Sequence, residues 1–334
     1  MSEAINRVEQ AVADLGCGKV VALVSDRNNG PDSYLIVAGE KATTSTLDFI
    51  IRHTSGFVCA AVSDAVCTQI ALPSMNGILT DSAADDYTVA VDAVEGVGTG
   101  ISAKDRAITL RRIADLSSTP ATFTRPGHVL PMRVRSGGIL TRRRPAEAVI
   151  DLLRVAGLHE VGALSALVSL SDPHAMADAE ESRSFAHTHH LAWVSLSDVV
   201  TYHRTTKSQV HESFRTVHAT PHGAIEVVGY HSDITDTNYL AYRAGDPSSL
   251  KGPLVHVRFE TGGFPHLPAQ RDPAVTSVLA SPDSLVIIGF GDPQDLHREE
   301  FGADVEQILR AEKICEPHLV EPDSRATQAA LPFP

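Results

Sequence analysis

Residues 95–106 read EGVGTGISAKDR, a glycine-rich stretch that predicts a loop leading into a helix. Ser102 and Asp105, three positions later, fit the acidic form of a capping box, so we expect the helix to begin beside Ser102. The preceding segment, Tyr87 to Val91, alternates and is β-branched, which predicts a strand. The stretch therefore predicts a strand, a loop and a helix in succession, a unit typical of layered α/β and α+β domains.

The same alternation of strands and helices continues in both directions, as far as residue 204. Residues 20–24 predict a strand and residues 43–53 a helix. Pro145 opens a further helix that Gly157 closes, in agreement with the usual positions of proline and glycine at helix ends. Residues 125–128, which read RPGH, predict a turn. We expect one layered domain over residues 1–204.

The pattern changes after residue 204. Residues 205–208 are polar and predict a linker, and residues 209–315 contain strands separated by proline and glycine. Residues 316–334 predict a polar tail. The predicted fold class is therefore α+β, with a layered first domain and a smaller, β-rich second domain.

Composition limits the classes of function. The chain has 334 residues, 43% of them apolar, which is enough for two domains with their own cores. A net charge of −13 argues against nonspecific binding to nucleic acid, and no apolar run is long enough to span a membrane. The four cysteines are widely spaced and predict neither a disulfide framework nor a zinc knuckle. We expect a soluble, cytoplasmic protein whose partners include neither nucleic acid nor membranes.

Four ordered motifs carry a resemblance to a known family. They are RHTSGFVC at 52–59, the stretch at 95–106, RPGHV at 125–129 and GGILTR at 137–142. Together they resemble 3,4-dihydroxy-2-butanone 4-phosphate synthase of riboflavin biosynthesis, over about residues 4–204. The second half is similar to GTP cyclohydrolase II, the usual fusion partner, at the segments 225–230, 254–260 and 301–310.

The resemblance implies a fold, a reaction and a set of site residues. The synthase family has a layered α/β/α domain with a mixed sheet, forms homodimers, and converts ribulose 5-phosphate to dihydroxybutanone phosphate and formate with a divalent metal. His128 and Asp105 are the implied acid–base residues. Arg142 is the implied bidentate ligand of a phosphate, with Arg143 adding charge. The remaining implied substrate-binding residues surround a helix N-terminus, which favours anions: Thr99, Ser102, Arg106 and Thr109.

The sequence departs from the family at the metal-binding positions. Pro145 stands where the family has a metal-binding histidine, and Ala166 stands where it has a glutamate. The family's acidic loop retains only Asp26 and Asp32 here, and the cysteines of the cyclohydrolase zinc site are missing from residues 260–273. We therefore predict that the magnesium site and the zinc site are both lost, that no cofactor is required, and that GTP cyclohydrolase activity is absent.

Three functions remain open from the sequence. The first is a divergent enzyme that binds a sugar phosphate and catalyses a metal-independent lyase or isomerase reaction. The second is a catalytically inactive homologue that acts as a binding or assembly partner of riboflavin enzymes. The third is residual dihydroxybutanone phosphate synthesis, with Asp26 and Asp32 rebuilding the metal site.

Overall fold

The chain folds into two compact units, Met1–His203 and Arg204–Pro334. The structure, a computed structural model, describes the following residues: 2–24, 26, 33–75, 85–135, 137–172, 174–206, 209–220, 223–233, 237–245, 253–261, 284–291, 298–314 and 318–320.

Eight helices and seven strands are described in the first part of the chain, up to residue 206. The helices are α1 (Ser2–Gly16), α2 (Thr44–His53), α3 (Asp64–Gln69), α4 (Ala103–Ala114), α5 (Gly138–Thr141), α6 (Pro145–Val155), α7 (Ala179–Thr188) and α8 (Leu196–Thr206). The strands are β1 (Val21–Val24), β2 (Tyr34–Ala38), β3 (Cys59–Ser63), β4 (Val91–Ala93), β5 (Phe123–Val134), β6 (Val161–Ala166) and β7 (Trp193–Ser195).

The seven strands form one mixed sheet with the order β4-β5-β3-β6-β2-β1-β7. Strand β3 is parallel to β5 and antiparallel to β6. Helices α2, α4 and α7 contribute to one apolar core, and α1, α6 and α8 contribute to a second. Their apolar stripes are buried against the two faces of the sheet, which is the main source of stability for such a layer. This arrangement confirms the predicted layered α/β/α domain with a mixed sheet.

The β4–β5 pair differs from the sequence prediction in two ways. A strand was predicted over residues 87–91, but β4 covers Val91–Ala93, and Tyr87 and Thr88 form only isolated bridges. Residues 125–128 were predicted as a turn, but they belong to strand β5, where the register against β4 shifts between Val91 and Asp92. The prediction was wrong because proline and glycine also mark bulges within strands. A Cβ on Gly127 would overlap the backbone of Val91 and Asp92, so only glycine permits this close approach. The bulge brings the next residue, His128, directly beside Asp92.

The second unit contains a six-stranded sheet with the order β13-β11-β12-β10-β9-β8. Its described elements are β8 (Val210–Thr220), β9 (Gly223–Ser232), β10 (Asn238–Ala244), β11 (Leu254–Thr261), β12 (Ser284–Gly291), α9 (Arg298–Ala311) and β13 (His318–Val320). Phe301, Val305 and Ile308 of α9 pack in one core of this sheet. The unit is β-rich, as predicted.

Two boundaries of the prediction change. Thr205 and Thr206, predicted as linker, are the last residues of α8, and residues 207–208 lie outside the described part. The predicted polar tail contains strand β13, while residues 321–334 lie outside the described part. Neither boundary was visible in the sequence, because polar residues such as threonine end helices as readily as they form linkers. Within the described residues, no helix has the length and apolar character needed to cross a membrane.

Candidate functional site

The loop before α4 is shaped by its own side chains. Ser102 caps the helix, and its hydroxyl accepts a hydrogen bond from the Asp105 amide at 3.1 Å. The Asp105 carboxylate turns back into the loop and accepts from the Gly100 amide at 3.1 Å. Burial opposes ionisation, but the bonds from Gly98, Gly100 and Ser102 hold the pKa of Asp105 below its ordinary value. The Asp105 carboxylate therefore shapes the loop, and its part in proton transfer stays a prediction.

The centre of this region is a histidine–carboxylate pair that joins β4 to β5. Nδ1 of His128 lies 2.6 Å from Oδ2 of Asp92, and the His128 amide donates to Oδ1 of Asp92 at 2.9 Å. The Asp92 side chain is 9% exposed, whereas the His128 side chain is 41% exposed. The paired Nδ1 carries the proton in the neutral ring, which leaves Nε2 as a proton acceptor. This geometry supports the prediction of His128 as an acid–base residue.

Gly100 brings the loop against this pair. Its φ of +88° lies in the left-handed region, and a Cβ at this position would overlap Oδ2 of Asp92 and Nδ1 of His128. Only glycine combines this backbone conformation with such a close approach. Thr99 and Ser102 flank Gly100 in sequence and are exposed to solvent. The predicted ligand residues Thr99 and Ser102 therefore share one loop with the glycine that touches the His128–Asp92 pair.

The first turns of α4 place the other two predicted ligand residues in different roles. Nη1 of Arg106 donates to the Gly56 carbonyl at 2.7 Å, so this guanidinium joins α4 to the motif at 52–59. Burial lowers the pKa of Arg106, and the Asp92 charge works in the opposite direction. Its Nε is buried and has no hydrogen-bond partner among the described residues. Thr109 is fully buried and its hydroxyl accepts from the Ala93 amide at 3.0 Å, so the structure makes it a link between α4 and β4 instead of a ligand contact.

Arg142 lies in a second cluster, between α5 and α6. Its Nη1 donates to Oε1 of Glu147 at 2.8 Å, and its Nη2 donates to Oδ1 of Asp85 at 3.2 Å. The Glu147 side chain is 1% exposed, and burial raises the pKa of its carboxyl against the opposing effect of Arg142. Each of the two terminal nitrogens of Arg142 thus already contacts a carboxylate of the chain, and the bidentate contact with a phosphate stays a prediction.

Arg143 has different partners from Arg142. Its Nη2 lies 3.5 Å from Oδ2 of Asp26, and it also donates to the hydroxyl of Ser197. The side chain is 48% exposed. The structure therefore directs Arg143 toward the start of α8, while Arg142 points toward Glu147 and Asp85.

The described residues do not fit the family's cation site. Pro145 is the first residue of α6 and Ala166 the last residue of β6, and neither side chain has an atom that binds a metal. Oδ2 of Asp26 accepts from the Ser197 amide at 2.6 Å beside the charge of Arg143. Among the described residues no group of three His, Cys, Asp or Glu could hold a metal ion. Asp32 lies outside the described residues, so the expectation that the metal site is lost stays a prediction.

Sequence reasoning missed Asp92. A lone acidic residue at the end of the apolar segment YTVAV was the available signal, because a buried carboxylate requires a partner. The partner could not be named from the sequence, since the bulge that brings His128 to Asp92 was predicted as a turn.

Comparison with known proteins places these residues in a family. A family profile described as 3,4-dihydroxy-2-butanone 4-phosphate synthase matches residues 9–202. The chain belongs to this family. The match covers β4, β5, α4 and the Arg142 cluster, so both regions of the candidate site lie on the synthase-like part of the chain.

Relatives extend the similarity beyond this part. The riboflavin biosynthesis protein RibBA of Mycobacterium marinum is 40% identical over 242 residues, which is 72% of this chain and 57% of the relative. RibBA of Nocardia farcinica is 41% identical over 253 residues, or 76% of this chain and 61% of the relative. Both matches are longer than the unit Met1–His203, so the similarity continues into the second unit. The chain spans about three fifths of the length of these relatives.

Solved structures share the architecture. The two-domain synthase RibBX of A. baumannii superposes with a TM-score of 0.72 at 26% identity, covering 96% of this chain and 94% of that one. A 3,4-dihydroxy-2-butanone 4-phosphate synthase solved in complex with two magnesium ions gives a TM-score of 0.56 at 32% identity and covers 60% of this chain and 97% of that one. These likenesses confirm the predicted synthase fold followed by a second, β-rich domain.

Proposed function

We propose that this member of the synthase family binds a sugar phosphate or a similar phosphorylated small molecule, and catalyses a metal-independent isomerase- or lyase-type reaction. The observation that carries the proposal is the His128–Asp92 pair, at 2.6 Å, with the loop at 98–102 against it. This pair retains the parts of an acid–base centre in a chain whose Pro145 and Ala166 have no metal-binding atoms.

His128 is the proton-transfer residue in this proposal. Its Nε2 removes a proton from the carbon next to the ketose carbonyl, and the electron pair of that bond forms an enediolate. The hydroxyl proton of that carbon then moves to the former carbonyl oxygen, and His128 returns the abstracted proton to the former carbonyl carbon, so the isomerisation is completed with no atom gained or lost. Asp92 holds the ring and stabilises the imidazolium that forms, at the 2.6 Å contact with Nδ1.

The buried Arg106 and the N-terminus of α4 supply the electrostatic complement, since the Gly98 and Gly100 amides of the loop already donate to Asp105. The loop leads into the N-terminus of α4, where the helix dipole favours an anion. Thr99 and Ser102 offer exposed hydroxyls on the same loop. These groups suit the developing enediolate or the phosphate of the substrate, and no step of this proposal passes through a metal or an organic cofactor.

The test follows carbon-labelled pentose and tetrose phosphates, ribulose 5-phosphate first, by carbon NMR with the full chain, with and without magnesium. We expect turnover of at least one ketose phosphate without magnesium, and a loss of about 10²–10⁴-fold in His128→Ala. His187→Ala, a change at an exposed histidine of α7, is the control and retains the rate. Formate and dihydroxybutanone phosphate appearing only with magnesium would establish residual synthase activity and overturn the proposal.

A second candidate is a catalytically inactive partner of riboflavin enzymes. It is favoured by the Arg142 cluster, where the chain's own carboxylates bind the guanidinium that would otherwise bind substrate. Under this proposal no ketose phosphate is turned over, and the chain changes the rate of an active homologue with which it co-purifies. A homodimer, a cytoplasmic location and the loss of GTP cyclohydrolase activity belong to both proposals.

A further inference from the structure

Arg142 is bound on both sides by acidic residues of very different exposure. Glu147 lies on α6 with its side chain 1% exposed, and it holds Nη1 at 2.8 Å. Asp85 precedes β4 in the chain with its side chain 26% exposed, and it holds Nη2 at the longer distance of 3.2 Å. The Arg142 side chain itself is 17% exposed. Of the two carboxylates, Asp85 is therefore the one that solvent and a ligand can reach.

The chemistry of the Asp85 contact resembles that of a phosphate contact. A carboxylate oxygen and a phosphate oxygen both accept charge-assisted hydrogen bonds from arginine with the same geometry. Two acidic side chains around one guanidinium also leave this group of three side chains without a net positive charge to attract a third anion. A phosphate that approaches Nη2 therefore competes with the Asp85 carboxylate for this nitrogen.

We propose that Asp85 is an internal competitor for the anion site of Arg142, and that a phosphate monoester binds by displacing Asp85 from Nη2 while Glu147 stays on Nη1. This inference rests on the proposed function, because it takes Arg142 as the phosphate-binding residue. It makes Asp85 the residue that sets the affinity of the site, and it replaces the bidentate grip with a single charge-assisted contact from Nη2.

The test is calorimetric titration of inorganic phosphate into the full chain and three variants. Asp85→Asn removes the competing charge and keeps the shape, and we expect it to bind phosphate about two- to fivefold more tightly, the range of a partly exposed ion pair. Asp86→Asn is the matched control. The Asp86 carboxylate is next to Asp85 in sequence, but it accepts from Ser74 and not from Arg142. We expect Asp86→Asn to bind as the parent does, and Arg142→Gln to lose binding. Thermal unfolding of each variant verifies that the fold is retained.

The outcomes distinguish the competitor role of Asp85 from the phosphate-binding role of Arg142. If Arg142→Gln weakens binding but Asp85→Asn binds no more tightly than the parent, the competitor role is overturned and the phosphate site survives. If Arg142→Gln binds as the parent does, or if neither the parent nor Asp85→Asn binds, then Arg142 is not the phosphate site. In that case the competitor role of Asp85 is overturned, and Arg142 has no part in the proposed function. Binding by Asp85→Asn alone would be the strongest support.

Discussion

The first unit contains two histidine–aspartate pairs that have the same chemical groups and opposite surroundings. His128 lies 2.6 Å from Asp92 and is 41% exposed, whereas His203 lies 3.6 Å from Asp151 and is 6% exposed. Asp92 directs both of its oxygens at His128. Asp151 divides its oxygens between the Ile139 amide, Arg154 and the vicinity of His203. One carboxylate thus orients a ring that a substrate can reach, and the other joins α5, α6 and α8 inside the core.

The difference predicts that Asp92→Asn affects turnover and that Asp151→Ala affects stability. For Asp92→Asn we expect turnover of the ketose phosphate identified above to fall by about 10²–10⁴-fold, because the amide cannot stabilise the imidazolium. The substrate concentration at half-maximal rate should change little, since Asp92 acts through His128. Steady-state kinetics by carbon NMR provides the measurement. A variant that retains the parent rate would show that the pair is structural.

Asp151→Ala should reduce the free energy of unfolding by about 2–3 kcal/mol, since it leaves the buried Ile139 amide without its acceptor and removes one of the two carboxylate partners of Arg154, the other being Glu160. Urea denaturation gives the value. Asp48→Ala is the matched control, because its pair with Arg52 is exposed and is expected to contribute less than about 1 kcal/mol. Equal effects from the two variants would contradict the structural role assigned to Asp151.

Gly100→Ala tests whether the loop before α4 is held against the His128–Asp92 pair. At a φ of +88° and against Oδ2 of Asp92, a methyl group must move the loop or the His128–Asp92 pair. We expect a loss of about 1–2 kcal/mol in the free energy of unfolding, together with a loss of turnover. Gly16→Ala, at the end of α1 with no atom near the added Cβ, should be neutral or slightly stabilising. If Gly100→Ala matched that control in stability and rate, the loop would not be held against the pair.

The sequence predicted the layers well and the contacts of the site poorly. Periodicity, caps and the proline at the start of α6 are local, so α2, α4, α6 and β1 followed from them. Asp92 and Asp85 act on residues 36 and 57 positions away, and pairings over such separations depend on sheet register. The resemblance to the synthase family could name His128 and Arg142, but not the carboxylates that determine what they can do.

A third histidine, His53 of α2, is partly buried, and the effect that we expect from its burial is the smallest of those predicted here. Its ring lies 4.6 Å from that of Phe49, 5.3 Å from that of Phe185 and 4.8 Å from that of His189, between ring centroids. Burial, then the charges of His189 and Arg52, lower the pKa of His53 from its ordinary value of 6.5. The unfolded chain therefore binds the proton more readily than the folded chain as the pH falls below that value, and the free energy of unfolding decreases.

In His53→Gln this source of acid sensitivity is absent, so the variant should lose less stability than the parent between neutral pH and pH values below 6.5. We expect the loss of free energy of unfolding over this pH range to differ between the variant and the parent by less than about 1 kcal/mol, because the ring is only partly buried. Urea denaturation at a series of pH values measures it. His174→Gln, at an exposed histidine, is the control and should follow the parent curve. Parallel curves for His53→Gln and the parent would contradict a lowered pKa of His53 in the folded chain.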